Sequence, residues 1–434
     1  MKKVLVITYY WPPAGGGGVQ RWLKLTKHLP DFGWEPVVYA PEAADYPLVD
    51  PTLEGEVASG LVVIRRPIFE PRRLYAWFGG SKERRSQEVE EIFHRDPSER
   101  SRAENLAVWL RGNLLIPDAR VTWVRPSTRY LTAYLKEHPV DAVVTTGPPH
   151  SMHLIGRALK RKAGVPWIAD FRDPWTNIEF YGDLMLTAWA DARHRRLEAS
   201  VLKEADAVVT VSPTWGTDFE GRARNVQVIP NGYDEKDFTE LPSVDRDVFR
   251  LTHAGSLSMD RNPVALWEAL ASLSESEPGF GEKLRIQMLG RMDPGIVEVV
   301  QSYGLDRQLE MTGYVSHQQS IEAMCRAAVL LLLINRDQQN APGRIPGKLF
   351  EYMASKRPIL LVGPTDGDAA GIVTECRAGV VCGFDDAAEI RKTVANWYRR
   401  HLIGALDASN TDISRYNRRK EAEEFARLLN DVVT

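Results

Sequence analysis

Short, continuous apolar runs rich in Val, Ile and Leu recur along the chain, separated by segments with helical periodicity. The first half contains KVLVITYY, PVVYA, LVVIRR, DAVVTT, WIADF, AVVTVS and VQVIP, and a second series follows with LTHAGS, LRIQMLG, LEMTGY, VLLLLI, PILLVG and GVVCG. Continuous rather than alternating hydrophobicity is typical of strands buried on both faces, and so of parallel sheets with helical crossovers. Because the pattern occurs twice, the sequence predicts an α/β fold with two doubly wound, Rossmann-like lobes.

The length of 434 residues is sufficient for two domains of ordinary size. Residues 231–250 are polar and acidic and lack strand periodicity, so we place the boundary near residue 240. The expected domains are residues 1–240, residues 241–410 and a terminal segment, 411–434. In that last segment Phe425, Leu428, Leu429 and Val432 follow helical spacing, which predicts an amphipathic helix that could cross back to the first lobe.

The composition excludes several classes of protein. A net charge of −3, with 44% hydrophobic and 26% charged residues, is typical of a globular domain and argues against a nucleic-acid partner. Three cysteines without ligand spacing indicate neither a disulfide framework nor a zinc site. The longest apolar run, at residues 327–334, is far below the ~20 residues that span a bilayer. With no signal-peptide pattern at the start, we expect a cytoplasmic protein.

Four glycines, Gly15 to Gly18, stand between the first predicted strand and a helical segment, VQRWLKLTKHL. Flexible backbone at a helix N-terminus favours an anion, and a tight turn is the structural alternative. Neither common nucleotide fingerprint fits, because GxGxxG would need glycine where Gln20 stands and no GK[ST] follows. The later segment GRIPGKL fails the second test too, since Leu349 replaces Ser or Thr.

A second candidate site lies in GRIPGKLFEYMASKRPILL, where Pro346 and Gly347 interrupt the chain before a helix with Lys348 and Glu351. A lysine at such a helix start can hold a phosphate, and a carboxylate one turn later can accept hydrogen bonds from two ribose hydroxyls. Lysine and glutamate are also common helix formers, so an ordinary surface helix is the alternative.

The order of motifs resembles the GT-B glycosyltransferases, specifically the family 4 enzymes that use nucleotide-sugar donors and retain anomeric configuration. The motifs that carry the resemblance run from the glycine loop to about residue 365: DFRDPW, ADAVVTVS, VIPNGYDEKDF, HAGSLSMDRNP, MTGYVSH and KLFEYMASKRPIL. It implies two lobes that face each other across a cleft, with the donor on the second lobe and the acceptor on the first.

The resemblance also implies roles for individual residues. The glycine loop, with Gly16 and Gly17, would approach the donor phosphates and the acceptor. In the family, a G-R-x-x-x-x-K loop holds the diphosphate. Here Gly255 matches the glycine, Ser256 stands at the arginine position and Arg261 at the lysine position. Lys348 or Arg344 would replace the missing cation.

The remaining donor-binding residues follow from the same alignment of motifs. Gly313, Tyr314 and Val315 would lie near the base. Gly347 and Leu349 belong to the phosphate-side segment, and Glu351 would bind ribose.

The sequence departs from the family pattern at two catalytic positions. Gly343 stands where the first glutamate of the E-x7-E motif would contact the transferred sugar, and Arg344 or the backbone near Ile345 could take over that contact. Arg172 replaces a first-lobe histidine, while His150 either touches a substrate or is structural. The candidate catalytic residues are therefore Arg261, Lys348, His150 and Arg172.

No metal requirement is expected. His150 and His153 lack an accompanying carboxylate motif, and the DGD at residues 366–368 reads as a polar turn. We expect a UDP- or GDP-sugar donor, no permanently bound cofactor, and a glycan or lipid-linked acceptor of the bacterial cell surface. A nucleotide-sugar epimerase and a catalytically silent binding subunit of the same architecture are the alternatives.

Residues 65–125 mix Arg and Lys with Trp77, Phe78, Trp109 and Trp123, and residues 86–105 within them are highly charged. Aromatic and basic side chains together are typical of a membrane interface, which predicts peripheral association with an anionic membrane at the inner face of the plasma membrane. Helices that pack on the first lobe with a charged outer face are the alternative.

Overall fold

The computed structural model describes residues 1–70, 101–239, 242–336, 340–406 and 412–434. These residues form two units. The first comprises Met1–Pro230 with Arg418–Thr434, and the second is Asn231–Asn417. From the sequence, we placed the corresponding domain boundaries at residues 240 and 411. Trp77, Phe78 and most of the charged segment 86–105 lie outside the described residues.

The first unit is built on a parallel sheet whose strands follow one another in space as β3-β2-β1-β4-β5-β6-β7. The strands are β1 (Lys2–Ile7), β2 (Trp34–Glu42), β3 (Val62–Pro67), β4 (Ala142–Gly147), β5 (Trp167–Phe171), β6 (Ala207–Thr210) and β7 (Val226–Val228). The helices are α1 (Gly17–His28), α2 (Arg102–Leu114), α3 (Val121–Glu137), α4 (Ser151–Ala163), α5 (Ala188–Glu204) and α6 (Pro213–Phe219). The order reverses between β1 and β4, so the loops that follow these two strands diverge and leave room for a ligand.

The second unit contains another parallel sheet, in the order β10-β9-β8-β11-β12-β13. Its strands are β8 (Phe249–Ala254), β9 (Leu284–Leu289), β10 (Leu309–Gly313), β11 (Val329–Leu333), β12 (Ile359–Val362) and β13 (Gly379–Cys382). Its helices are α7 (Val264–Ser276), α8 (Phe280–Lys283), α9 (Pro294–Ser302), α10 (His317–Arg326), α11 (Lys348–Ala354), α12 (Asp368–Glu375) and α13 (Ala387–Leu402). Here the order reverses between β8 and β11.

Both sheets confirm the predicted α/β class, because every apolar run named from the sequence became a strand. The strands inside each sheet are buried on both faces, as β4 and β11 illustrate with no exposed residue, whereas the edge strands β3, β7 and β10 have exposed residues. The continuous hydrophobic runs in the sequence therefore correctly indicated parallel sheets with helices packed on both faces.

The terminal helix, α14 (Arg418–Val433), returns to the first unit as expected. Phe425 and Leu429 are fully buried, and the Phe425 ring meets the Trp22 ring of α1 at 5.1 Å. Arg21 of α1 is also buried and forms an ion pair with Glu421 at 2.5 Å. The last helix thus covers the helix that begins at the glycine loop.

No helix among the described residues is both long and apolar enough to cross a membrane. Cys325, Cys376 and Cys382 are buried, and no disulfide bond joins any two of them.

Candidate functional site

Three glycines meet at the carboxyl ends of neighbouring strands in the second unit. Gly255 follows β8, Gly290 follows β9 and Gly313 ends β10, with φ angles of +118°, +128° and +71°. The Gly255 N–H donates to the Leu289 carbonyl at 2.6 Å, and the Gly290 N–H donates to the Gly313 carbonyl at 2.7 Å. A Cβ on Gly290 would stand only 2.7 Å from the Gly255 carbonyl carbon, so side chains are excluded here. The loops consequently present bare backbone, which a ligand can approach closely.

Lys348, the first residue of α11, extends its side chain to this glycine cluster. Its Nζ lies 2.5 Å from the position of a Cβ on Gly255. The pKa of the Lys348 amine is lowered to about 7, first by burial and then by the nearby charge of Arg261, while Glu351 acts in the opposite direction. Within the described part of the chain the amine forms no ion pair. Two cations near one another in partly desolvated surroundings are suited to a polyvalent anion such as a diphosphate.

Arg261 ends a short 3-10 helix, residues 259–261, in the loop after β8. Its guanidinium donates to the Ser258 hydroxyl at 3.2 Å. His253 is fully buried, and its Nδ1 donates a hydrogen bond to the Leu331 carbonyl at 2.9 Å. Burial lowers the pKa of His253, and the charges of Lys348 and Arg261 lower it further. The structure therefore brings Arg261, Lys348 and Gly255 close together.

Glu351 lies one turn after Lys348 on α11 and is half-buried. Among the described residues its carboxylate has no hydrogen-bond partner, so both oxygens are available to a ligand. Tyr352 beside it is fully buried, and its hydroxyl accepts a hydrogen bond from the Ala254 N–H at 2.8 Å. That bond fixes α11 against the end of β8.

Arg344 is held in a side-chain network at the end of β11. Its Nη1 donates to Asn335 Oδ1 at 2.5 Å, and the Asn335 amide donates in turn to the Asp260 carboxylate. Gly343, at the position of the absent glutamate, is buried in a 3-10 helix, residues 341–343. Asn340, just before that helix, is 3% exposed, and neither polar atom of its side chain has a hydrogen-bond partner in the described structure.

The other donor-binding candidates of the second unit are divided between surface and core. Ser256 and Tyr314 are exposed, Gly347 is exposed at the start of α11, and Val315 is half-buried. Leu349 is fully buried in the core, and its N–H already donates to the Pro346 carbonyl at 3.0 Å. Neither its side chain nor its amide is therefore available in this arrangement.

In the first unit, the glycine loop turns directly into α1. Gly16 has a φ of +83°, and a Cβ on Gly17 would meet nothing within 4 Å. A Cβ on Gly18 would stand 3.3 Å from both Arg172 Nη1 and the Tyr10 ring. Open space thus lies over Gly17, while Gly18 is closely packed.

Arg172 connects three loops of the first unit. It donates to the carbonyls of Gly18 at 2.5 Å, Pro148 at 2.6 Å and Gly147 at 3.3 Å. The residue is 9% exposed, and burial lowers the pKa of its guanidinium. Because carbonyl oxygens of two other loops occupy the group, the geometry fits a residue that positions the glycine loop.

His150 lies just before α4, with its ring stacked on Trp175 at 5.1 Å. It is 8% exposed, and neither ring nitrogen makes a hydrogen bond of good geometry, although the Pro174 carbonyl lies nearby. Burial lowers the pKa of His150 to about 4, against the opposing charges of Asp118 and Glu198. A neutral imidazole with unused nitrogens can exchange hydrogen bonds with a hydroxyl.

Among the described residues, no group of three or more His, Cys, Asp or Glu side chains is arranged to hold a metal ion.

The sequence of the first unit matches the model of a known protein family. The model of the glycosyl transferase 4-like domain matches residues 16–232, which is half of the chain and nearly coincides with the first unit. The chain belongs to the glycosyl transferase 4-like family.

Several solved structures are similar to this chain, and the similarity extends over both units. They include WaaG, a glycosyltransferase of lipopolysaccharide biosynthesis, at 16% identity and a TM-score of 0.56 over 98% of this chain and 99% of that one. Anabaena HepE in complex with UDP-glucose has 14% identity and a TM-score of 0.59 over 99% and 100% of the chains. A putative UDP-N-acetylglucosamine 2-epimerase from Listeria monocytogenes has 10% identity and a TM-score of 0.57 over 99% and 96%. At these identities the likeness shows the two-lobed GT-B type of fold. No curated protein sequence matches the chain.

Three residues of the candidate site in the second unit were not identified from the sequence: Gly290, Asn340 and Tyr352. Gly290 could have been noticed as the third glycine that directly follows a strand, in LRIQMLG. Tyr352 and Asn340 carry no local signal, because a tyrosine within an apolar helix and an asparagine two residues before a proline are ordinary. The role of Tyr352 depends on its hydrogen bond with Ala254, 98 positions away in sequence.

Proposed function

We propose that this protein transfers a sugar from a nucleotide-diphosphate donor to a hydroxyl acceptor, with retention of anomeric configuration. The observation that supports this most is the pair of cations, Lys348 and Arg261, beside the bare backbone at Gly255. Burial and the charge of Arg261 lower the pKa of the Lys348 amine in the free protein, and a bound diphosphate would compensate both effects.

In the proposed reaction, the bond from the sugar C1 to the diphosphate oxygen breaks and a bond from C1 to the acceptor oxygen forms on the same face. The acceptor proton passes to the departing phosphate, so no protein nucleophile is needed. Negative charge develops on the diphosphate as the sugar acquires oxocarbenium character, and Lys348 and Arg261 would stabilise it. A metal ion is not required in this scheme.

The remaining residues of the second unit would hold the nucleoside. The unoccupied Glu351 carboxylate can accept hydrogen bonds from both ribose hydroxyls, and Gly313, Tyr314 and Val315 would lie along the base. The donor is proposed to be a UDP- or GDP-sugar. The structure of HepE with UDP-glucose is consistent with this class of donor.

The first unit is proposed to bind the acceptor. Open space over Gly17 leaves room for a substrate, and the neutral His150 offers ring nitrogens to a hydroxyl. Arg172, proposed as catalytic from the sequence, would act by holding the glycine loop through the Gly18 carbonyl. The acceptor is proposed to be a bacterial cell-surface or lipid-linked glycan, and the involvement of WaaG in lipopolysaccharide biosynthesis is consistent with that class.

A thermal-shift screen against UDP-, GDP-, ADP- and TDP-sugars tests the donor directly. A ligand present at 100 times its Kd stabilises the native state by about 2.7 kcal/mol, so one nucleotide should raise the melting temperature above the others. Absence of a shift with every nucleotide would instead favour the silent binding subunit.

Product analysis then separates transfer from epimerisation. Proton NMR of the reaction should show the donor sugar linked to the acceptor with its original anomeric configuration. A sugar epimerised without any acceptor would identify the alternative enzyme.

A further inference from the structure

Asn340 has hydrogen-bonding capacity that the protein itself does not use. Its side chain is 3% exposed, and neither the amide nitrogen nor the amide oxygen has a hydrogen-bond partner among the described residues. Buried polar groups are almost always paired, because an unpaired one loses its hydrogen bonds to water without replacement. Asn113 shows the ordinary case, since it is also 3% exposed but pairs both polar atoms of its side chain at 2.7–3.1 Å. The unpaired amide of Asn340 therefore points to a ligand.

Asn340 lies in the segment that follows β11, which is the neighbour of β8 at the point where the strand order of the second sheet reverses. It directly precedes the 3-10 helix of residues 341–343, and its carbonyl accepts from the Gly343 N–H at 3.2 Å. Ala341 and Ile345, which are 5% and 6% exposed, pack this segment into the core. Doubly wound sheets bind ligands outside the carboxyl ends of their strands, where the order reverses. Asn340 is thus located where a ligand is expected.

A side-chain network holds this segment beside the candidate donor site. Arg344 Nη1 donates to Asn335 Oδ1 at 2.5 Å. The Asn335 amide donates in turn to the carboxylate of Asp260, which directly precedes Arg261 in the sequence. At its other end the segment continues into Lys348, the first residue of α11. The segment that contains Asn340 is therefore tied to both cations of that site.

The order of groups in a nucleotide-sugar indicates where the transferred sugar would lie. The diphosphate stands between the ribose and the sugar, and the proposed function assigns the ribose to Glu351 and the diphosphate to Lys348. Because Glu351 is one turn further along α11, the sugar is expected on the other side of Lys348, toward residues 340–347. These residues include two polar side chains, Asn340 and Arg344, and Arg344 already donates within the network.

We propose that Asn340 binds two neighbouring ring hydroxyls of the transferred sugar and thereby contributes to the choice of donor. The inference rests on the proposed function, because it names a further contact of the same donor. One hydroxyl would donate to the amide oxygen, and the other would accept from the amide nitrogen. Both amide atoms are covered in the free chain, so the side chain turns outward when the sugar binds, and the new hydrogen bonds compensate for that change. A donor that lacks one of these hydroxyls leaves an amide atom unpaired and is bound more weakly.

Titration calorimetry with two related ligands tests the proposal: the nucleotide-sugar selected by the thermal-shift screen and the corresponding nucleoside diphosphate. Asn340→Leu should bind the nucleoside diphosphate as the wild type does. It should bind the nucleotide-sugar about tenfold more weakly, the factor expected when two neutral hydrogen bonds are lost. Among monodeoxy analogues of the donor, at least one should bind the wild type more weakly than the parent donor does, and Asn340→Leu should not distinguish that analogue from the parent.

The melting temperature separates a ligand contact from a structural role. Leucine has a volume similar to that of asparagine, and Asn340→Leu removes a buried polar group that has no partner. This variant should therefore melt at the wild-type temperature or above it. Asn113→Leu is the matched control, because it breaks the hydrogen bonds with Met185 and Thr187. It should lower the melting temperature and leave the ratio of the two ligand affinities unchanged.

Two results would overturn the proposal and leave the proposed function intact. The first is an Asn340→Leu variant that binds both ligands as the wild type does. The second is a fall in the melting temperature of both Asn340→Leu and Asn340→Ala with an unchanged ratio of affinities, which would show that the amide has a structural role. If the wild type bound no nucleotide-sugar, the proposed function would fail, and this inference would fail with it.

Discussion

Lys348 and Gly255 are in close contact: the amine of the lysine lies 2.5 Å from the position that a Cβ of residue 255 would occupy. The contact joins the start of α11 to the end of β8 and places a cation against bare backbone. Gly255→Ala should therefore displace Lys348 and lower the affinity for a nucleoside diphosphate about tenfold or more. Its φ of +118° adds a backbone cost of about 1–3 kcal/mol.

Gly304→Ala is the matched control for this substitution. Gly304 also has a positive φ, +71°, but a Cβ there would meet nothing within 4 Å. It should lose stability and keep its nucleotide affinity, as measured by titration calorimetry. Equal loss of affinity in both variants would mean that the effect comes from backbone strain and not from Lys348.

Nucleotide affinity should depend on pH through Lys348. The pKa of its amine is lowered to about 7 in the free protein, so the amine is mostly neutral above pH 7 and must take up a proton to bind a diphosphate. Affinity should then fall as pH rises above 7, by up to about tenfold per pH unit while the bound amine stays protonated. Calorimetry between pH 6.5 and pH 9 measures this, and Lys348→Arg should flatten the profile.

The lowered pKa of Lys348 also predicts how the stability of the free protein depends on pH. Since the pKa of Lys348 is lower in the folded than in the unfolded chain, the unfolded chain binds more protons between about pH 7 and pH 10.5. The contribution of this group to the free energy of unfolding should rise with pH across that window. Lys348→Met should remove that rise in denaturant unfolding experiments.

Gly17→Ala tests whether a substrate approaches the glycine loop. A Cβ at residue 17 meets nothing in the structure, and the residue begins α1, so the substitution should leave stability unchanged or raise it by about 0.4–1 kcal/mol. Transfer should nevertheless fall more than nucleotide binding, because the new methyl group occupies the open space. Gly55→Ala, also without neighbours within 4 Å, should change neither rate nor binding. A Gly17→Ala variant with full activity would leave the loop as a structural turn.

Arg21 should contribute strongly to the stability of the first unit. It is 1% exposed and pairs with the buried carboxylates of Asp170 and Glu421, at 3.3 Å and 2.5 Å. Arg21→Met would remove the shared cation from two buried carboxylates, although Glu421 would keep Arg418 and Asp170 would keep hydrogen bonds from Trp22 and Thr146. The substitution should cost about 3–5 kcal/mol in guanidinium unfolding. The exposed pair of Arg161 with Glu204 provides the comparison, since Arg161→Met should cost about 1 kcal/mol or less. Similar costs for the two would contradict the role given to Arg21.

The strands were predictable because their signal is local. Runs such as VLLLL are buried on both faces, and proline or glycine ends most of them, so hydrophobicity alone located each strand. The contacts of Arg172 were not predictable, since its guanidinium reaches the Gly18 carbonyl across 154 positions of sequence. Leu349 shows the same limit of sequence patterns. It belongs to a motif of the candidate site, but its side chain is fully buried in the core.

The proposed function depends most on the donor site at Lys348, Arg261 and Gly255. Titration calorimetry with the best nucleoside diphosphate of the screen, on the wild type, Arg261→Ala and Lys348→Ala, tests this site directly. We expect a measurable Kd for the wild type and a loss of affinity of about tenfold or more in each variant, as when a charge-assisted hydrogen bond of about 1.5–3 kcal/mol is removed. Unchanged affinity in both variants would contradict the proposed donor site.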